Sequence, residues 1–392
     1  MNATLATILV LLGASVVVVV VARLARLPPI LGYLVAGVLV GPHVLGWVED
    51  SASIRHLADF GIVFLMFSLG LEFSLPQLVS MRRAVFGLGL AQVAITTLAG
   101  LIALPLAGFG WREGLVLGGA LAMSSTAIVS KMLTERMELA TPHGRDVIAI
   151  LLFQDLAVVA FLIVIPALAR EAMSLPAALG LAAFKGAVAL LLILRFGQKP
   201  MRAWFHLVGR QRSSELFMLN VLLVTLGLAT LTEAVGLSLA LGAFLAGMLI
   251  AETEYRMQVE EDIKPFRDVL LGLFFVTVGM GLDLELVLAQ WPFVLLLLGV
   301  PVAFKLALIV ALARVFGAPL SSAMRTGFYL AQAGELALVM LALGTEVKLL
   351  PPALVQVVLA SMVLSMLAAP LVIHFAEPIV RKLTANDWLA RA

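Results

Sequence analysis

The chain has 392 residues, 62% of them hydrophobic and only 13% charged, against roughly a quarter charged in ordinary soluble domains, and its mean hydropathy is +1.11. No soluble core can bury that much apolar surface, which leaves the class of all-α polytopic membrane proteins. A net charge of +2 with no cysteine excludes disulfides and thiolate metal sites and gives no ground for nucleic-acid binding.

The first apolar run, near 5–22, has no basic residue before it and Arg23 and Arg26 after it. That polarity is wrong for a cleaved signal peptide, so the run reads as a retained span with its N-terminus outside. Further runs lie near 29–41, 57–73, 84–106, 113–133, 147–169, 175–194, 215–232, 236–251, 268–282, 291–313, 324–344 and 353–376, giving about thirteen transmembrane helices, the second short enough to be partly re-entrant. Residues 377–392 read as a cytoplasmic tail. Of the 26 basic residues, twenty fall in the segments this alternation places inside, four (Arg55, Arg112, Arg170 and Lys348) fall outside, and Lys185 and Lys305 sit within spans. Positive residues accumulate on the cytoplasmic side, so the distribution supports both count and orientation, with the C-terminus cytoplasmic. The inner stretch from Arg195 to Ser214 mixes basic residues with Trp204 and Phe205; it reads as a positive-inside loop, with a position along the lipid surface as the other reading.

The informative residues are those a membrane rejects: Asp155 beside Gln154 in "LLFQDLAVVAF", Lys305 in "VAFKLALIV", Glu335 in "AQAGELALVM" and Lys185 in "LAAFKGAVAL". An ionised group at mid-bilayer usually faces a cavity or a partner and marks an ion or proton path. Asp155 lies nine residues beyond Asp146 at the inner edge, about 14 Å deep at the helical rise. Ser124, Ser125 and Thr126 sit about 18 Å from the opposite face, so the two meet near the midplane of a layer about 30 Å thick. "GGALAMSSTAIVSK" and "AQAGELALV", the latter at Gly334, both have the makings of a helix break. They lie seven spans apart and therefore run in opposite directions, as interrupted helices of inverted repeats do. Each signal also has a structural reading: Ser and Thr bond back to their own helix, Lys305 snorkels, nothing beyond its mid-span position points to Lys185, and Glu72 makes a helix-end contact.

A mid-membrane carboxylate holds either a proton or a cation, one excluding the other. Gln154 adds a neutral carbonyl oxygen without a second charge. Hard oxygen ligands suit an alkali cation, K+ or Na+, at Asp155 and Gln154, and no His/Cys cluster offers a transition-metal site. The expectation is therefore proton-coupled cation movement with no cofactor. An intramembrane aspartyl protease needs a second acid and a Gly-x-Gly-Asp segment, whereas "GMGLD" puts an extra residue before Asp283; a serine protease needs a mid-span histidine, and only His374 comes near one. The chain does not read as an enzyme; a binding-only sensor is the remaining non-transport reading.

Six ordered segments, "RLPPILGYLVAGVLVGP", "LMFSLGLEF", "ALAMSSTAIVSKML", "LLFQDLAVV", "GLFFVTVGMGLDL" and "AQAGELALV", resemble the membrane domain of the Kef-type potassium efflux systems, within the second monovalent cation/proton antiporter family. The resemblance covers nearly the whole chain. It implies a sodium/proton antiporter-like fold with two broken, crossed helices, a homodimer in the bacterial inner membrane, and Asp155 as the carboxylate shared by K+ and proton. By the same resemblance Lys305 is the core lysine near that carboxylate, Ser125 and Thr126 mark the first break, and Gly334 and Glu335 the second. The Gln-Asp pair is similar to the potassium branch, with Na+/H+ exchange and a gated, channel-like K+ pathway as alternatives.

Two features depart from that family. Its members usually continue into a cytoplasmic Rossmann-like regulatory domain, whereas this chain stops at Ala392 and has no G-x-G-x-x-G after a strand. The segment "EYRMQVEEDIKPFRD" resembles the acidic gating loop of glutathione-regulated members: Glu260, Asp262, Ile263, Pro265 and Phe266 match, while Met257, Glu261 and Lys264 do not.

Overall fold

We describe the chain from a computed structural model, which places residues 3–25, 27–48, 52–73, 75–169, 180, 184, 188, 191 and 197–389. The long helices are α1 (Ala3–Leu24), α2 (Pro29–Val40), α3 (Ala52–Glu72), α4 (Leu90–Leu106), α5 (Trp111–Ala122), α6 (Thr126–Glu135), α7 (Pro142–Leu168) and α8 (Gln198–Gly209), then α9 (Ser214–Ala234), α10 (Leu239–Ala251), α11 (Arg256–Met280), α12 (Trp291–Val315), α13 (Leu320–Leu330), α14 (Glu335–Glu346) and α15 (Pro352–Leu389). Even the valine run of α1, "ASVVVVVVARL", is helical, although β-branched residues favour strands. In hydrocarbon every backbone group must be bonded within its own segment, and a helix does that whatever its side chains.

Twelve of the predicted spans fall on helices; the span near 175–194, with Lys185, lies outside the described residues apart from four isolated positions. Among the described residues seven helical stretches are long and apolar enough to cross a membrane, or eight if α13 and α14, bent by 45°, count as one broken span. α2 and α10 are apolar but shorter. The count of thirteen thus remains an expectation.

The chain divides into two compact units. The first comprises residues 1–21, 32–75 and 159–281. Its helices approach through glycine: a Cβ at Gly37 would overlap the Val276 carbonyl oxygen, and one at Gly247 would overlap that of Phe67. Small residues permit such backbone proximity, and packing replaces the hydrophobic drive that lipid does not supply. α8 is docked in this unit. Its Phe205 is fully buried, with its ring 5.8 Å from that of Phe217, and Arg202 donates to the Glu252 carbonyl at 2.7 Å. Glu72 makes the expected helix-end contact, 3.8 Å from Arg267.

The segment read as an acidic gating loop is not a loop. Residues 256–280 form the continuous helix α11, with Pro265 inside it. Val259, Ile263, Leu270 and Phe274 are buried at spacings of four and seven, one face of a helix. Asp262, Lys264 and Phe266 are exposed and Glu260 is partly so, and the Phe266 ring stands edge-on to Phe64 at 5.1 Å. The segment expected as a cytoplasmic tail is helical, α15 running on to Leu389. Val380 is fully buried and Glu377 pairs with Arg381 at 2.9 Å, the i,i+4 spacing that supports a helix.

The second unit comprises residues 22–31, 76–158 and 282–392. Its core joins Val129, Leu133, Ile150, Leu151, Ile309 and Leu330. Here the two predicted interruptions occur. α5 stops at Ala122 and α6 begins at Thr126, with Met123 and Ser125 in extended conformations. α13 stops at Leu330 and α14 begins at Glu335. The two breaks touch: a Cβ at Gly334 would overlap the Ser124 carbonyl, which is why glycine stands there.

Candidate functional site

An interrupted helix exposes backbone groups that hydrocarbon cannot satisfy, and side chains in this unit satisfy them. The Lys305 ammonium, on α12 and only 2% exposed, donates to the Met123 carbonyl at 2.7 Å and to the Gln332 carbonyl at 3.1 Å. These carbonyls follow the C-terminal ends of α5 and α13. Ser124 Oγ donates to the Leu330 carbonyl at 2.9 Å, tying one break to the other. On the opposite pole, the Ala127 N–H at the start of α6 donates to Glu335 Oε1 at 3.3 Å, and Glu335 is itself the first residue of α14. Ser125 caps α6, its hydroxyl accepting from the Ile128 N–H at 3.2 Å, and Ala333 N–H donates to Ser365 Oγ at 3.0 Å.

The charges balance. A helix terminus carries about half an elementary charge, so two C-terminal ends present about −1 and two N-terminal ends about +1. Lys305 sits at the first pair and Glu335 at the second.

Asp155 stands beside this framework on α7. Its Oδ1 lies 3.4 Å from Thr126 Oγ1, a long hydrogen bond. Asp155 and Thr126 are partly exposed, and Ala127 is exposed, whereas Ser124, Ser125, Gln154, Lys305 and Glu335 are buried. Of the two acids at the breaks, Asp155 is partly exposed and Glu335 is buried. Gln154, 1% exposed, has a different environment from that of an open ligand. Its Oε1 accepts from the Ser124 N–H at 2.7 Å, and its Nε2 donates to Gln92 Oε1 at 2.9 Å and to Ser124 Oγ at 3.3 Å.

The structure thus gathers Asp155, Gln154, Ser125, Thr126, Lys305, Gly334 and Glu335 in one unit. Glu260, Asp262, Lys264 and Phe266 belong to the other unit. Three features escaped the sequence reading. Gln92 on α4 is fully buried and bonds Gln154; the signal was a lone amide in the apolar run "LGLAQVAIT". Gln332 is buried, and neither its amide nitrogen nor its oxygen has a partner among the described residues; the same holds for Glu335 Oε2. Glu138, in the turn between α6 and α7, accepts from the Tyr329 hydroxyl at 2.6 Å and lies 3.1 Å from His143. Burial acts to raise the Glu138 carboxyl, but the bonds from Tyr329 and His143 outweigh it and hold the group below its ordinary value. No group of three or more His, Asp or Glu residues that could hold a metal ion occurs among the described residues.

Comparison with known proteins agrees with this geometry. The profile of a family described as "Sodium/hydrogen exchanger, transmembrane" matches residues 8–376. K(+) efflux antiporter 2, chloroplastic, of Arabidopsis thaliana is 45% identical over 349 residues, covering 86% of this chain and 30% of that protein. The putative K(+) efflux antiporter KefB of Alkalimonas amylolytica is 42% identical over 398 residues, covering 100% and 59% respectively. The chain therefore spans less than two thirds of the length of these relatives. Among solved structures, the sodium proton antiporter MjNhaP1 of Methanocaldococcus jannaschii, at pH 8, superposes with a TM-score of 0.70 over 96% of this chain and 98% of that one, at 15% identity, a likeness of fold. The Kef-type resemblance read from the motifs agrees with the names that the sequence relatives carry.

Proposed function

The chain belongs to the sodium/hydrogen exchanger family, and on that premise we propose that it exchanges a monovalent cation, K+, for protons by alternating access around Asp155. It is an integral membrane protein of a transporter family, and in this reading it catalyses no covalent reaction and binds no cofactor.

The observation that carries the proposal is the contrast at the two breaks. Framework groups are buried, and the charged pair among them, Lys305 and Glu335, faces opposite helix ends, while Asp155 remains partly open. A carboxylate so placed accepts one charge at a time. A cation on it excludes the proton and a proton excludes the cation, so carrying each in turn couples the two flows. Thr126 offers its hydroxyl oxygen beside the carboxylate. Gln154 and Ser125 hold the first break in shape, and Gly334 keeps the second close to it. Two relatives are named as K(+) efflux antiporters, which favours K+ over Na+.

We place the protein in a bacterial inner membrane, as a homodimer in lipid, on the resemblance to Kef-type systems, with its N-terminus outside and its C-terminus cytoplasmic on the distribution of basic residues. The test is purified protein in proteoliposomes under an imposed K+ gradient, with a pH-sensitive dye inside. The proposal expects proton counterflow in fixed ratio to K+ movement, weaker with Na+. K+ movement without proton counterflow would mean a channel-like pathway and contradict it.

A further inference from the structure

Gln92 has no part in the exchange proposed above, yet its hydrogen bonds form a directional chain. Gln92 Nε2 donates to the Ala122 carbonyl at 3.1 Å and to Thr96 Oγ1 at 3.3 Å. Gln92 Oε1 accepts from Gln154 Nε2 at 2.9 Å, and Gln154 Oε1 accepts from the Ser124 N–H at 2.7 Å. Both ends of this chain are backbone groups flanking the first break, and their polarity is fixed. Ala122 contributes a carbonyl, which only accepts, and Ser124 an N–H, which only donates. Two amides can join them in one orientation only. If Gln92 is turned over, its oxygen faces the Ala122 oxygen; if Gln154 is turned over, its NH2 group faces the Ser124 N–H. The orientation of both amides, which electron density alone seldom settles, is here dictated by chemistry.

Resting on the exchange reading above, we propose that Gln92 is a positioning residue for the ion site: it locks Gln154, and with it the adjoining Asp155 on α7, in register with the break at Ser124 to Thr126. The lock has a second consequence. Position 154 must donate toward Gln92 and accept from Ser124, and a carboxylate, which only accepts, cannot do both. The lock therefore fits an amide at position 154 and not a carboxylate, so the negative charge of this residue pair lies on Asp155 alone.

The polarity argument yields a signature that a packing role lacks. In Gln92→Leu the chain is cut at every pH. In Gln92→Glu a protonated carboxyl reproduces the chain, its O–H donating to Ala122 and its carbonyl oxygen accepting from Gln154, whereas the ionised form sets an acceptor against the Ala122 carbonyl. Cation-driven proton flux is measured in proteoliposomes for wild type and both variants across pH 5.5 to 9, with KM and maximal rate resolved at each pH, and thermal melting in detergent checks folding. The lock predicts that Gln92→Leu raises the KM for K+ about tenfold, the effect of losing a buried hydrogen bond, at all pH values. Gln92→Glu should match wild type at the acid end and approach the leucine variant at the alkaline end. KM unchanged in both variants, or a loss of maximal rate with KM and pH profile intact, overturns the proposal. If Gln92→Leu fails to fold, the pH dependence of KM in Gln92→Glu alone decides. A wild-type protein that moves no protons against K+ fails at the first arm, and overturns the exchange reading together with the lock that rests on it.

Discussion

Replacing Lys305 by methionine tests the electrostatic framework at its most buried point. The ammonium serves two carbonyls, at 2.7 and 3.1 Å, and hydrogen bonds to a charged donor each contribute about 1.5–3 kcal/mol. The lost bonds alone would thus destabilise by about 3–6 kcal/mol. Part is returned because methionine needs no desolvation of a charge and fills much the same volume. The carbonyls of Met123 and Gln332 cannot be removed with the lysine, so their deficit persists and a net loss of about 2–4 kcal/mol is expected. Set against a total stability of about 5–15 kcal/mol, that is a large change. Thermal unfolding in detergent, followed by tryptophan fluorescence, should show Lys305→Met melting well below wild type. A variant melting at or above wild type would refute the reasoning that Lys305 neutralises two helix ends.

Gly334→Ala places a methyl group into the Ser124 carbonyl; overpacking against backbone typically costs about 1–3 kcal/mol, and cation-driven flux should fall while the helix content by circular dichroism is kept. Phe205→Ala removes a fully buried ring between α8 and Phe217 and should destabilise by about 3–5 kcal/mol, read as faster proteolysis near residues 198–209. The Glu138 carboxyl is held below its ordinary value of 4.5, so folding favours its ionised form. The stability this contributes is present above that value and is lost as pH falls through the lower folded value. Tyr329→Phe, which removes the hydroxyl 2.6 Å from Glu138, should therefore melt below wild type near pH 7, with the difference shrinking as pH drops below about 4.5; a difference constant with pH would contradict the Glu138 assignment.

Charge in hydrocarbon was the legible signal. Asp155, Lys305 and Glu335 stand out because a membrane helix has no ordinary use for them, and the breaks were foreshadowed by small and hydroxyl residues at Ser124 to Thr126 and by Gly334. Their partners were not legible. Lys305 binds backbone carbonyls, which every residue possesses, and Gln92 is an uncharged amide that barely disturbs the hydropathy of its span. Gln154 was read as a cation ligand from its place beside Asp155, but one lone pair of its oxygen is already taken by Ser124. The gating segment was read as a loop from its resemblance to the glutathione-regulated members, while the buried spacing of Val259, Ile263 and Leu270 holds a helix. At the end of α15 the charged residues gave no sign of the packing there, where Val380 is buried and Glu377 bridges Arg325 and Arg381.

The most direct measurement compares wild type with Asp155→Asn in the same proteoliposomes, under the same K+ gradient and at matched protein density. An asparagine keeps the size and loses the charge that cation and proton contest. The account predicts robust K+-driven proton flux in wild type and none above empty liposomes in Asp155→Asn. Full flux in the variant would contradict a shared carboxylate at this position.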